Sequence, residues 1–176
     1  YNSDLANDLG NLLSRITNLI NKFFEGKLSS GFDKSSRGKI VQAESSKVIS
    51  YTNECFRKMR INEAIDNSMN CIKSINKYIE SMAPWKLVKT DMSAASGVLL
   101  TSAEALRISC LSLIAVMPNK MNQALNILGD NSYNCDWGFF ENGLTVKKHE
   151  PLFPRIDVSI KKNQNKSIKM NPSDNI

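Results

Sequence analysis

The sequence predicts an all-α fold, an antiparallel bundle of about five helices followed by an irregular C-terminal extension. Three observations lead there. Apolar residues recur at three- and four-residue steps through successive long stretches. Chain breakers (Gly26, Pro84, Pro118 and Gly129) fall between those stretches rather than inside them. After Gly129 the composition shifts to aromatics, Gly and Pro, and then to Lys and Asn. With 176 residues, 41% of them hydrophobic, the chain is long enough for one domain with a sizeable core.

The first helix is expected over residues 4–24. Leu5, Leu9, Leu12, Leu13, Ile16, Leu19, Ile20, Phe23 and Phe24 form its core face. Ser3 or Asp4 can cap its start, and Gly26 is a plausible C′ residue. The opposite face carries a ridge of Asn7, Asn11, Arg15, Asn18 and Lys22, which stack above one another on a helix. Amides and cations make up this ridge, with no carboxylate among them. Asn is a mediocre helix former, so the ridge costs stability and invites an explanation. Amides and a guanidinium read base edges, and cations tolerate nearby phosphate. An ordinary solvated face in an Asn-rich chain is the alternative.

Residues 28–39 (LSSGFDKSSRGK) have little periodicity and read as a mobile basic loop. A second helix is expected over 41–59, with Val48, Tyr51, Cys55, Phe56 and Met59 inward. A third, over 61–82, shows a stripe of Ile61, Ile65, Met69, Ile72, Ile75 or Asn76, Ile79 and Met82. Ala83-Pro84-Trp85 should end it, because proline removes a backbone donor and restricts its predecessor.

A fourth helix over 93–116, capped by Asp91 or Ser93, is apolar nearly all round in its second half: Leu111, Leu113, Ile114, Val116. It should be the central, most buried member, ended by Pro118. A fifth covers 120–128 and closes at Gly129. Residues 137–154 lack helical period. The helical domain is expected to span 1–157, with 158–176 a basic tail that offers little to bury and is expected to be flexible.

The chain carries 23 Lys plus Arg against 17 Asp plus Glu, a formal charge of +6. A modest basic excess is compatible with nucleic acid or an anionic surface and favours RNA only weakly. Cys55, Cys71, Cys110 and Cys135 are scattered without a CxxC pair, and His149 is the single histidine, so a zinc site lacks ligands. Cys71 and Cys110 read as small hydrophobes in an intracellular, reducing compartment. The longest apolar run, 110–117, falls short of the roughly 20 residues a membrane span requires, so no membrane partner is expected. No signal peptide opens the chain. It begins without Met on the doorstep of a helix, which suggests a piece of something longer.

Catalytic signatures are missing: no GxGxxG, P-loop, HExxH or GxSxG. Carboxylates are scattered rather than paired, and His149 reads as exposed and inert. The residues therefore point to binding rather than bond making.

Four motifs carry more than pattern. Residues 2–15 (NSDLANDLGNLLSR) resemble the opening of the anticodon-binding domain of bacterial methionyl-tRNA synthetases. Asn76-Lys77-Tyr78-Ile79-Glu80 followed by Ala83-Pro84-Trp85-Lys86-Leu87 does too. Met117-Pro118, and Pro151-Leu152-Phe153-Pro154-Arg155-Ile156 after Trp137, come in the same order at the expected spacings. The likeness spans about residues 1–157.

The resemblance implies a class I synthetase anticodon-binding bundle that reads the CAU anticodon of tRNA-Met in the cytoplasm. It implies no cofactor for this stretch, since ATP and methionine belong to a catalytic domain of the same polypeptide, which would also be a partner. On its own this stretch is expected not to aminoacylate. Carried over residue by residue, Asn11 and Arg15 match the first-helix pair that bonds anticodon bases. Pro84 and Trp85 match the loop whose indole stacks on one. Asn7, Asn18 and Lys22 are assigned only as neighbours of the RNA. Trp137 is expected to be structural, and Asn76 and Tyr78 to secure the third helix against the first. Lys27, Lys34, Arg37 and Lys39 are expected to supply only diffuse attraction to phosphate. A helical protein–protein interaction or scaffold module without RNA specificity is the competing reading.

Overall fold

The computed structural model describes residues 2–29 and 31–154, and of residues 2–4 and 6 only the backbone. The expected domain boundary and the basic tail lie outside the described residues. The fold is the all-α bundle that the periodicity predicts.

Its centre is α5 (Met92–Leu113), buried without interruption from Ala95 to Leu113. The Asp91 carboxylate caps it, accepting from the Ala94 N–H at 2.8 Å. By length and composition α5 could cross a bilayer, but its apolar side chains are buried within the bundle. The others pack around it: α2 (Ser36–Arg57), α3 (Ile61–Met82), the short α4 (Pro84–Leu87) and α6 (Pro118–Ile127).

The first helix opens as a π-wound stretch, Asn2–Gly10, and continues as α1, Asn11–Phe24. Leu9, Leu12, Leu13, Ile16 and Ile20 are fully buried. The winding already includes Ser3 and Asp4, so the expected cap positions lie inside it. Glu25 (φ 54°) and Gly26 (φ 83°) enter the left-handed region, and the Gly26 N–H returns to the Ile20 carbonyl at 3.2 Å.

The inward stripe of α2 differs from expectation. Val41, Ser45, Val48, Thr52 and Cys55 are buried, whereas Tyr51 is 47% and Met59 79% exposed. Ile61, at the start of α3, is 46% exposed. Hydroxyls and a thiol are interleaved with the apolar groups where α2, α3 and α5 meet. Ser112 Oγ donates to Ser68 Oγ at 2.8 Å, and Ser109 Oγ lies 3.3 Å from Cys71 Sγ. Small side chains let the three helices approach closely, and each hydroxyl finds a partner. Burial pushes the Cys71 thiol up, and the Cys110 thiol up to about 12, so both stay protonated.

The basic loop is anchored, contrary to expectation. Leu28 belongs to β1 (Lys27–Leu28), paired antiparallel with β2 (Leu144–Thr145). Phe32 packs on Trp137 with ring centroids 5.3 Å apart, which gives Trp137 its structural role. Asp33 is the hub. Its N–H donates to Thr101 Oγ1 at 2.9 Å, and its carboxylate accepts from the Ser35 N–H (2.9 Å), Ser35 Oγ (2.6 Å) and Tyr78 Oη (2.6 Å). Burial opposes the charge on Asp33, but the hydrogen bonds from Ser35 and Tyr78 outweigh it and hold the carboxyl below its ordinary value. Burial, then the bond to that carboxylate, pushes the Tyr78 phenol up. Gly38 makes room, since a Cβ there would sit 2.5 Å from the Asp33 carbonyl oxygen.

The irregular extension is held by buried charge. Arg107 and Glu104 of α5 pair at 2.7 Å, and Arg107 reaches Asp130 at 3.0 Å, all fully enclosed. Glu104 accepts three backbone N–H groups, from Gly138, Phe139 and Phe140, at 3.0–3.1 Å. Arg107 also donates to the carbonyls of Asn134 and Asp136, beneath the Phe139 ring. Further on, His149 is half-buried, its Nε2 2.9 Å from Thr17 Oγ1. The expected exposed histidine is thus a latch onto α1. Lys120 Nζ donates to the Leu152 carbonyl at 2.7 Å, and Phe153 lies over Gly10.

Candidate nucleic-acid interface

Helical spacing sets Asn11, Arg15, Asn18 and Lys22 on one face of α1, because Leu12, Leu13, Ile16 and Ile20 take the other. Asn7, Asn11, Asn18 and Lys22 are exposed, and the Lys22 ammonium lies 5.2 Å from the Phe23 ring centroid. Arg15 is half-exposed, and its Nη1 lies 3.3 Å from Glu80 Oε1 on the last turns of α3. No sequence signal pairs these two residues, which are 65 positions apart.

Two hydrogen bonds fix where α3 sits. Asn76 Nδ2 donates to the Asp8 carbonyl at 3.3 Å, holding α3 against the first helix as expected. Tyr78 does not share that task. Its hydroxyl points the other way, to Asp33, and ties α3 to the segment entering α2.

Past Glu80 the chain turns at Ala83 (φ 45°) and enters α4, with Pro84 at its first position. Proline suits that place, since its fixed φ matches the helix and its missing N–H is not needed there. Lys86 N–H closes the turn on the Ala83 carbonyl at 2.8 Å. Pro84 is buried and Trp85 half-buried, so of the expected Pro84–Trp85 pair only Trp85 keeps part of its surface open to solvent. Pro84 forms the corner that precedes it. Exposed polar side chains of α1 thus meet α3 at the Arg15–Glu80 pair, and the turn that carries Trp85 comes shortly after Glu80 in the chain. The amides of the ridge and the Arg15–Glu80 pair offer hydrogen-bond donors and acceptors to solvent on this face. Among the described residues no cluster of His, Cys, Asp and Glu is placed to hold a metal ion.

No family model matches the chain. It is 32% identical over 174 residues to a methionine–tRNA ligase of Deinococcus radiodurans, covering 96% of this chain and 26% of that protein. The methionine–tRNA ligase of Clostridium acetobutylicum is 36% identical over 166 residues, covering 91% of this chain and 26% of its own length. Methionyl-tRNA synthetase of Mycobacterium tuberculosis in its free state superimposes with a TM-score of 0.79 over 89% of this chain and 33% of that one, at 23% identity. By sequence, and with the same helical fold, the chain belongs to the methionyl-tRNA synthetase family and spans about a quarter of the length of these curated relatives.

Proposed function

We propose that this chain is the tRNA-reading helical domain of a methionine–tRNA ligase, and that it addresses the CAU anticodon loop of tRNA-Met. In this reading Arg15 and Asn11 bond base edges and Trp85 stacks on an unpaired base, while Asn7, Asn18 and Lys22 lie beside the backbone. Attachment of methionine with ATP is assigned to a catalytic domain of the same polypeptide, in the cytoplasm.

The observation that carries the reading is the 3.3 Å contact between Arg15 and Glu80. It supports a shared surface for the α1 ridge and the turn bearing Trp85, because Glu80 stands shortly before that turn. Single-stranded RNA is recognised by splaying bases onto aromatics and bonding their freed edges. Titrating the chain with stem-loops bearing CAU or altered anticodons, at two salt concentrations, tests it. Tighter binding of CAU that persists at the higher salt is expected. Equal affinity for all stem-loops would favour an interaction module without RNA specificity.

A further inference from the structure

One cation of α2 and one of α3 stand over the cleft between those helices without a partner among the described residues. Arg37, in the first turn of α2, and Lys77, on α3, line a cleft of about 250 Å³ with Ile40, Val41, Ser74, Tyr78 and Ser81. Among the described residues neither Arg37 nor Lys77 has a hydrogen bond or an ion pair, although Arg15, Arg57, Lys58, Arg60 and Arg107 all have one. The polar neighbours are already engaged. Ser74 Oγ donates to Glu44 Oε2 at 2.6 Å, Ser81 Oγ to the Tyr78 carbonyl at 2.9 Å, and the Tyr78 hydroxyl to Asp33. Among the described residues no carboxylate lines the cleft; of those nearby, Glu44 accepts from Ser74 and Asp33 from Ser35 and Tyr78. The cleft thus offers a guanidinium fork and an ammonium, both unspent, beside an Ile40 side chain that is 56% exposed.

Its place matters as much as its charge. Lys77 precedes Glu80 by three residues, so the two side chains are neighbours on the surface of α3. Glu80 in turn contacts Arg15. The cleft is therefore the next feature along the surface from the ridge, on the α2 side. From this we infer that Arg37 and Lys77 clamp a backbone phosphate of the RNA strand that passes Arg15, with the exposed Ile40 side chain against the ribose. The inference rests on the anticodon-reading function proposed above and adds to it a site that carries affinity but no sequence information. Lys34 and Lys39, exposed on the same segment, raise the local potential without lining the cleft.

The test compares the parent chain with the double variant Arg37→Gln/Lys77→Gln and with Arg57→Gln/Lys58→Gln. The latter removes equal charge at the far end of α2, and all these residues lie at the surface. Binding of CAU and anticodon-swapped stem-loops is measured from low to high salt, with thermal melts to confirm folding. The cleft variant is expected to bind both stem-loops about tenfold more weakly at low salt, as two exposed ion pairs would provide. Its salt slope should fall by about two units, with the CAU preference unchanged. A parent that prefers CAU while the cleft variant keeps its affinity and slope overturns the clamp and leaves the anticodon reading standing. So does an equal loss in the far-end variant, which would reduce the effect to general charge. Loss of the CAU preference in the cleft variant also overturns it, since the cleft would then be reading bases. A parent with no CAU preference overturns the anticodon reading itself, and the clamp with it.

Discussion

Arg15 on α1 and Glu80 on α3 form a half-exposed ion pair at 3.3 Å, with 37% and 62% of the two side chains open to solvent. A pair so exposed contributes little to the fold. It does hold the guanidinium next to a carboxylate that would repel phosphate. Glu80→Gln is therefore expected to change stability by less than about 0.5 kcal/mol in thermal melts. The same variant should bind RNA stem-loops more tightly, because Arg15 is released and a negative charge removed. Weaker binding by this variant would mean that the carboxylate itself contacts RNA.

Trp85 is expected to carry base stacking. Trp85→Ala should weaken the CAU stem-loop by roughly 1–3 kcal/mol, the usual worth of a base on an aromatic face. Trp85→Phe should recover part of the loss. Arg15→Ala should reduce discrimination between CAU and altered anticodons more than it reduces general RNA affinity, as titration of both stem-loops will show.

The Asp33–Tyr78 bond sets a pH window. The folded carboxyl lies below its ordinary value of 3.8, so its contribution is present above that pH and lost as pH falls through the folded value. The folded phenol lies above its ordinary value of 10.0, so its contribution is present below pH 10.0 and lost as pH rises toward the folded value. Asp33→Asn should flatten the acid limb of a stability–pH curve, and Tyr78→Phe the alkaline limb. A parent-like curve from either variant would contradict the assignment.

Buried charge holds the extension, so breaking it should be costly. Arg107→Met leaves Glu104 and Asp130 enclosed without their cation, and a loss of about 3–5 kcal/mol is expected in denaturant titration. The Trp137 fluorescence should report release of residues 134–140 in the same experiment.

Gly38 and Gly97 test how closely the loop is packed. A Cβ on Gly38 would meet the Asp33 carbonyl oxygen at 2.5 Å, while one on Gly97 would meet the Gly31 carbonyl oxygen at 3.2 Å. Gly38→Ala should destabilise by about 1–3 kcal/mol, and Gly97→Ala by distinctly less. Melting temperatures of the two variants decide the order.

The sequence by itself determined the helices of the bundle, and for a local reason. The 3.6-residue period of Leu12, Leu13, Ile16 and Ile20, and the near-continuous apolar character of α5, are properties of neighbours along the chain. The corners at Gly26, Pro84 and Pro118 are likewise written in residues whose backbone freedom is special. The motif order that brought out Asn11, Arg15 and Trp85 was also legible in the chain. Only the tertiary structure decided which residues face which. Tyr51, Met59 and Ile61 carry an apolar signal yet are exposed: Met59 and Ile61 fall at the corner between α2 and α3, and the inward positions of α2 are taken by Val41, Ser45, Val48, Thr52 and Cys55. The loop rich in Ser, Gly and Lys is ordered by Asp33, whose partners Tyr78 and Thr101 are 45 and 68 residues away. Glu80 beside Arg15 and Arg107 beside Asp130 are of the same kind. A pairing between charges depends on distance in space, and a linear sequence records no such distance.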